Sequence, residues 1–242
     1  MRPIPVIKLT NVCFSYEGCA RKVLNHLDLH IMDNDKIGMI APNGCGKTTL
    51  LHTIMGLCKP ASGSIEIFGK QRIHEKDFIP VRSKIGLLFQ NSDDQLFCPT
   101  VLDDVAFGPL NLGRHPAEAV SIAKDMLEKL GVRELDQRIT HRLSGGQKRL
   151  VALAAVLAME PAVLLLDEPT AGLDHGVQKK LINILNNLDI SCFIVSHEFD
   201  FIRSTTDKIF SMENGRVLTQ DDIHIHRHEH IHKHGNHPHS HP

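Results

Sequence analysis

The chain has no excess of charge of either sign: 27 Lys and Arg stand against 28 Asp and Glu over 242 residues. Setting aside the segment from Asp221 onward, with two basic and three acidic residues, leaves 25 against 25. Such a neutral body lacks the electrostatic footprint of a nucleic-acid binder, so no nucleic-acid partner is expected. Long apolar runs are missing as well. The longest, Leu150 to Met159, falls far short of the roughly 18 residues that span a bilayer, and the N-terminal MRPIPVIKLTNVCF has no apolar signal core. Work at a membrane would need other chains to supply the membrane part. The six cysteines, at 13, 19, 45, 58, 98 and 192, include no C-x-x-C pair and no run resembling a secreted disulfide framework, so a reducing cytoplasm is expected. An apolar content of 42% supports a proper core at this length.

The hydrophobic pattern predicts short strands at Ile4 to Leu9, Val12 to Phe14, Leu24 to Ile31 and Ile37 to Ile40, with no helix before about residue 40. A helix from Lys47 to Met55 follows, closed by Gly56, and then strands Ser64 to Phe68 and Ile85 to Phe89. From Thr100 the pattern turns helical: Thr100 with Asp103 forms a capping box, and a second helix from Pro116 to Leu130 ends at Gly131. Beyond lie a helix Ser144 to Ala158, a buried strand Val163 to Leu166, a helix Gln178 to Leu188 and a strand Cys192 to Val195. Asn214-Gly215 makes a type I′ turn between strands Ile209 to Met212 and Arg216 to Leu218. This order is that of an α/β fold with a doubly wound parallel sheet, carrying a helical insert at about 91–159. No internal repeat is present. One domain is expected over 1–220, followed by a flexible histidine-rich tail over 221–242.

Three segments carry chemistry. Ala41-Pro42-Asn43-Gly44-Cys45-Gly46-Lys47-Thr48-Thr49 follows a strand and opens a helix, the arrangement of a phosphate-binding loop. Its glycines let backbone N–H groups close around phosphate oxygens, and the helix N-terminus adds partial positive charge. Lys47 would reach the β- and γ-phosphates, and Thr48 would ligate Mg²⁺. The first position of the usual pattern is Ala41 rather than Gly, so the cradle is expected to form if Ala41 keeps a negative φ. Cys45, close to a helix N-terminus, is placed where thiolates are stabilised, and its alkylation is expected to inactivate. Val163-Leu-Leu-Leu-Asp167-Glu168 reads as a buried strand delivering two carboxylates at its C-terminal end, where open α/β sheets place ligands. Asp167 suits the Mg²⁺ shell and Glu168 suits polarisation of an attacking water. A strand running into an acidic turn is the plainer alternative.

The third segment is Leu143-Ser144-Gly145-Gly146-Gln147. Ser144 with Gln147 satisfies the S-x-x-Q capping box of a helix starting there. Capping leaves unexplained two glycines in the first turn, each costing up to about 1 kcal/mol relative to Ala. They suit close approach of an anion to exposed amides.

In this order and spacing the three segments resemble the ATP-binding-cassette family, over residues 4 to about 220. The resemblance implies a P-loop nucleoside triphosphatase fold with a RecA-like core, an N-terminal antiparallel β subdomain and an inserted helical subdomain. It implies ATP with Mg²⁺ held between one copy's phosphate loop and another copy's LSGGQ, in a homodimer or a pair of related ATPases. Tyr16, the only tyrosine, matches the aromatic that stacks on adenine, with a core or turn tyrosine as the alternative. Gln90 matches the glutamine that senses Mg²⁺ and the attacking water. Ala171-Gly-Leu-Asp174 matches a loop that contacts the second copy, with Ala-Gly in place of the commoner Ser-Ala, and His197 matches a strand-end histidine on the γ-phosphate. The catalytic set implied is Glu168, His197, Gln90 and Lys47. Phe89-Gln-Asn-Ser-Asp-Asp-Gln-Leu-Phe97 and the following Pro99 to Pro109 are similar to energy-coupling-factor importers, above all their cobalt and nickel ATPases. That likeness implies a peripheral protein at the cytoplasmic face of the cell membrane, working with membrane-embedded coupling and substrate-binding subunits. Asp93, Asp94 and Gln95 beside Leu96 and Phe97 would offer a surface for a short helix of such a partner. An importer for another metal or a vitamin, or a cassette ATPase outside transport with a metal-storing tail, is the alternative.

Nine of the 18 residues from His224 to His241 are histidine, and His224, His226, His228, His230, His232 and His234 alternate strictly. An extended strand puts these on one face and a helix brings together pairs four apart, so either offers imidazole pairs to a divalent metal such as Ni²⁺ or Co²⁺. Near neutral pH the nine rings together carry only about +2 charges. Imidazole also favours Cu²⁺ and Zn²⁺, and a solvated tail or an affinity tag remain alternatives.

Overall fold

The computed structural model describes residues 4–219. Within them the strands are β1 (Ile7–Phe14), β2 (Leu24–Ile31), β3 (Lys36–Ile40), β4 (Ser62–Ile67), β5 (Lys70–Arg72), β6 (Ile85–Leu88), β7 (Val163–Asp167), β8 (Ser191–Ser196), β9 (Lys208–Glu213) and β10 (Arg216–Leu218). The helices are α1 (Lys47–Ile54), α2 (Glu75–Arg82), α3 (Val101–Asn111), α4 (Pro116–Lys129), α5 (Gly145–Leu157), α6 (His175–Asn186) and α7 (Phe199–Thr205).

Every residue of β7 and β8 is buried, as expected for central parallel strands covered on both faces. They lie in a six-stranded sheet of order β10-β9-β3-β8-β7-β6, parallel except for β10. Along β7 the side chains alternate between two cores. Val163 and Leu165 join the strands of the N-terminal sheet, while Leu164 and Leu166 join α3, α4 and α5. Each of these fully buried leucines stabilises the fold by about 1.5–3 kcal/mol. The second sheet, β2-β1-β4-β5, is antiparallel. Helices α3, α4 and α5 lie between β6 and β7 in sequence.

The register brings the carboxyl ends of the parallel strands together: Ile40 pairs with Ser196, Asp167 with Val195 and Leu88 with Leu166. The loops after β3, β6, β7 and β8 therefore emerge at one end of the sheet.

Several local expectations are corrected. The two strands expected at Ile4 to Leu9 and Val12 to Phe14 are one strand, interrupted by irregularities around Val12 with Asn11 at φ 53°. Helix α2 was hidden by Pro80 inside it. It forms because the Asp77 carboxylate accepts from the His74 amide at 2.8 Å, holding the first turn, and Phe78 and Val81 are buried. The polar edge strand β5 and the short α7 have too little apolar pattern to be read. Helix α6 starts three residues ahead of the expected Gln178, because Asp174 accepts from the amides of Gly176 and Val177 at 2.8 and 3.1 Å. Thr100 caps α3, but Asp103 accepts from its hydroxyl at 2.6 Å and not from its amide, so the box is half formed. The hairpin has Asn214 at φ 49° and Gly215 at φ 75°, the two positive values a type I′ turn requires. All six cysteines are free thiols. Among the described residues no helix is long and apolar enough to cross a membrane.

Candidate nucleotide site

At the carboxyl end of the sheet a cleft of about 410 Å³ is lined by Tyr16, Val23, Asn43, Gly44, Gly46, Lys47, Thr48, Thr49, Gln90 and Glu168. Nine of these ten come from the sequence-derived set, although they belong to four separate segments. Val23 was missed. It packs so closely on Gly46, which has φ 108°, that a Cβ there would meet the Val23 side chain at 2.9 Å and its carbonyl at 3.0 Å. Gly44 also has positive φ, whereas Ala41 does not, so the alanine at the first loop position carries no backbone strain. Helix α1 starts after Gly46 with no side-chain cap and no acidic residue in its first turn. No side-chain oxygen caps its leading amides, and these with the positive dipole end are the equipment of an anion site.

Lys47 is buried, and its ammonium donates to the Ala41 carbonyl at 2.9 Å and Asn43 Oδ1 at 3.1 Å and makes an ion pair with Glu168 Oε1 at 2.6 Å. Thr48 Oγ1 donates to Asp167 Oδ2 at 2.5 Å, while Asp167 Oδ1 is buried without a hydrogen-bond partner. Burial pushes the Asp167 carboxyl above its ordinary range, against the Thr48 hydrogen bond. A buried carboxylate oxygen left unpaired beside a threonine hydroxyl fits Mg²⁺, which is held by one or two protein oxygens together with substrate phosphates.

Glu168 Oε2 accepts from His197 Nδ1 at 2.9 Å, Ser196 Oγ at 3.1 Å and the His197 amide at 3.3 Å. Burial raises its pKa, but Lys47 and then His197 outweigh that, so the carboxyl lies below its ordinary range and is ionised at neutral pH. Glu168 also has φ 44°, a left-handed conformation that costs a non-glycine residue of order 1–3 kcal/mol. Tyr16 is half exposed at the rim, its hydroxyl 2.9 Å from Thr49 Oγ1 and its ring edge-on to Phe14. Pro42 lies exposed in the loop. Cys45 is corrected: burial pushes its thiol up and outweighs the nearby amides and Lys47, so no stabilised thiolate forms there.

Ser144, Gly145, Gly146, Gln147 and Asp174 do not line this cleft. Ser144 and Gln147 cap α5 reciprocally, Ser144 N donating to Gln147 Oε1 at 3.0 Å and Gln147 N to Ser144 Oγ at 3.3 Å. Packing accounts for one of the two glycines: a Cβ on Gly146 would lie 3.1 Å from the Val177 side chain. Gly145 is exposed with nothing nearby, so only its missing side chain calls for an approaching group. Ser196 and Arg149 were also missed. Arg149 could have been found by helical spacing, since it shares the buried face of α5 with Leu153 and Val156. The histidines from His224 to His234 lie outside the described residues. Among those described, no group of three or more His, Cys, Asp or Glu side chains is placed to hold a metal ion.

A parallel sheet delivering a glycine-rich loop, Lys-Thr and an Asp-Glu pair to one cleft defines a P-loop nucleoside triphosphatase. The chain belongs to the ABC transporter family, whose model matches residues 24–171. It is similar to a putative ABC transporter ATP-binding protein of Brucella suis biovar 1, 50% identical over 214 residues, 88% of each protein. The energy-coupling factor transporter ATP-binding protein EcfA of Methanothermobacter thermautotrophicus is 38% identical over 219 residues, 89% of this chain and 70% of that protein. Among solved structures, cbiO1 of Clostridium perfringens, part of the ABC transporter complex cbiONQ, has a TM-score of 0.78 at 36% identity, covering 88% of this chain and 87% of that one. The ATP-binding cassette MJ0796, solved as a post-hydrolysis dimer with ADP and Pi, has a TM-score of 0.81 at 26% identity, covering 87% of this chain and 96% of that one. The α/β fold with an antiparallel sheet and a helical subdomain is that of ABC ATPases, which hydrolyse ATP with Mg²⁺ and act as pairs with membrane components.

Proposed function

We propose that this chain is the ATP-hydrolysing subunit of an energy-coupling-factor importer for cobalt or nickel, bound peripherally at the cytoplasmic face of the cell membrane. The carrying observation is the split between the two glycine-rich helix starts: α1 opens into the charged cleft, while the exposed, self-capped α5 start lies outside it. Two copies facing each other complete each site with the other's Ser144 and Gly145. The loop of Asp174 lies at the same contact.

Tyr16 stacks on the adenine, and the amides of residues 41–49 surround the phosphates. Thr48, Asp167 and Gln90 would hold Mg²⁺, which when bound would neutralise phosphate charge. Lys47 holds the Ala41 carbonyl, Asn43 and, as an ion pair, Glu168, and in turning to the phosphates it exchanges the Glu168 carboxylate for phosphate charge. That exchange frees one oxygen of an ionised carboxylate, while Ser196 and His197 keep hold of the other. Glu168 then orients and polarises the water, with His197 and the second copy's Ser144 facing the γ-phosphate.

A groove of about 310 Å³ beside the loop after Gln90 offers the partner surface, lined by Leu57, Phe89, Phe97, Phe107 and Met159. Phe97 is two-thirds exposed and packs edge-on against Phe107. Gln95 is corrected here: it turns inward to the Phe89 amide and the Leu87 carbonyl. The likeness to cbiO1 and the alternating histidines support the metal substrate. The domain over 1–220 carries the ATPase, and the tail over 221–242 handles Ni²⁺ or Co²⁺. Uptake of radioactive nickel and cobalt, in cells with the chain, without it and with residues 221–242 deleted, tests this. Uptake should vanish without the chain and weaken with the deletion, whose ATPase remains; unchanged uptake of both metals in cells lacking the chain contradicts the reading.

A further inference from the structure

Arg149 lies one helical turn beyond Gly145 on α5, and its side chain is buried with only 2% of the residue exposed. A buried guanidinium ordinarily faces a carboxylate. This one makes no ion pair among the described residues and is spent on three backbone carbonyls. Nη1 donates to Phe89 O at 2.5 Å, and Nη2 donates to Gln90 O at 2.6 Å and Glu168 O at 3.0 Å. A single nitrogen thus joins the loops after β6 and β7, whose side chains Gln90 and Glu168 both line the cleft.

The placement matters most at Glu168, whose backbone is in the left-handed region. Such a conformation persists only where surrounding contacts over-determine it. Here the Glu168 amide donates to Val195 O at 2.8 Å, and its carbonyl accepts from the Ala171 amide at 3.1 Å as well as from Arg149. Arg149 is the only side chain in that set. The adjacent Lys148 reaches the same loop from outside, with Nζ 2.5 Å from Asp93 Oδ1. The first turns of α5 therefore grip the loop after β6 at three points, Phe89, Gln90 and Asp93, and the Glu168 backbone at one.

We propose that Arg149 is a positioning residue for ATP hydrolysis, fixing the backbone that presents Glu168 and Gln90 and tying both to the N-terminus of α5. The guanidinium fork suits the task, since two of its nitrogens serve three carbonyls at fixed angles, which an ammonium cannot reproduce. Displacing the start of α5 then moves the carboxylate of Glu168 with it. The inference rests on the reading of Glu168 as the group that polarises water.

A double-mutant cycle on the full chain tests it, with ATP hydrolysis and binding of a fluorescent ATP analogue measured in each variant. Glu168→Gln alone should abolish most turnover; if it hydrolyses ATP normally, the parent reading fails and this inference with it. Arg149→Met should bind Mg·ATP as the parent does while kcat falls about 10²-fold, the scale of a misplacement of roughly 1 Å. Arg149→Lys should recover part of that loss. On the Glu168→Gln background, Arg149→Met should cost far less than on the parent, because only its hold on the Gln90 loop is left to lose. Wild-type turnover in Arg149→Met, a raised KM at unchanged kcat, or the same fold-loss on both backgrounds overturns the proposal. If Arg149→Met does not fold, the cycle is run with Arg149→Lys, and an equal loss with and without Glu168 is again the contrary result.

Discussion

Helix α1 begins after Gly46 inside the cleft with no side-chain cap, whereas α5 begins at Ser144 on the exposed surface with a reciprocal Ser-Gln cap. Around the first, charges are buried and already paired: Lys47 with Glu168, and Asp167 with the Thr48 hydroxyl. Around the second there is no acidic residue in the first turn and nothing near Gly145. One end is an anion site with its chemistry attached; the other is stable alone yet leaves backbone free for a group from outside. The contrast teaches that a capped helix start and a ligand-binding helix start are compatible, because the cap engages Gln147 N and leaves the Gly145 amide open.

The largest effect lies on the charged side. Glu168→Gln should lower turnover by roughly 10²- to 10⁴-fold, the range for one acid or base group, while Mg·ATP binding persists. A steady-state phosphate-release assay decides it, and retained wild-type hydrolysis would falsify the role of Glu168. On the α5 side the two glycines should separate. Gly145→Ala should leave thermal stability unchanged or raise it by up to about 1 kcal/mol while reducing turnover. Gly146→Ala must displace Val177 and should lower the melting temperature. Should Gly145→Ala leave turnover intact, the contrast between the two helix starts loses its functional half. The smallest effect concerns Cys45. Burial raises its thiol pKa, so the reactive thiolate is scarce at neutral pH and grows only as pH rises toward the thiol's pKa. Maleimide labelling followed by mass spectrometry should show exposed Cys19 modified faster than Cys45 at neutral pH, with the Cys45 rate rising in alkali. Faster labelling of Cys45 would restore the stabilised-thiolate reading set aside above.

Much of this was legible because the signals are local. The β3–loop–α1 sequence, the apolar run ending in Asp167-Glu168, and Ser144 with Gln147 each announce their geometry within a few residues. Helix α2 was not legible because Pro80 reads as a breaker, and only the burial of Phe78 and Val81 overrides it. Asp174 was read by resemblance as a loop residue, yet its carboxylate closes the first turn of α6. The cross-links at Glu168 were invisible for another reason: Lys47, Ser196, His197 and Arg149 meet it across sequence separations of 19 to 121 residues, which only the sheet register brings together.

The central claim is that ATP is shared between one copy's phosphate loop and the other's Ser144–Gly145. Asp is itself a good N-cap, so Ser144→Asp preserves α5 while placing a negative charge where the γ-phosphate must arrive. Size-exclusion chromatography with light scattering, run in Mg·ATP, compares Glu168→Gln with Glu168→Gln/Ser144→Asp. The first should elute as a dimer, and the second as a monomer whose ATP affinity is unchanged. A dimer persisting in the double variant, or no ATP-dependent dimer in the first, would contradict shared binding.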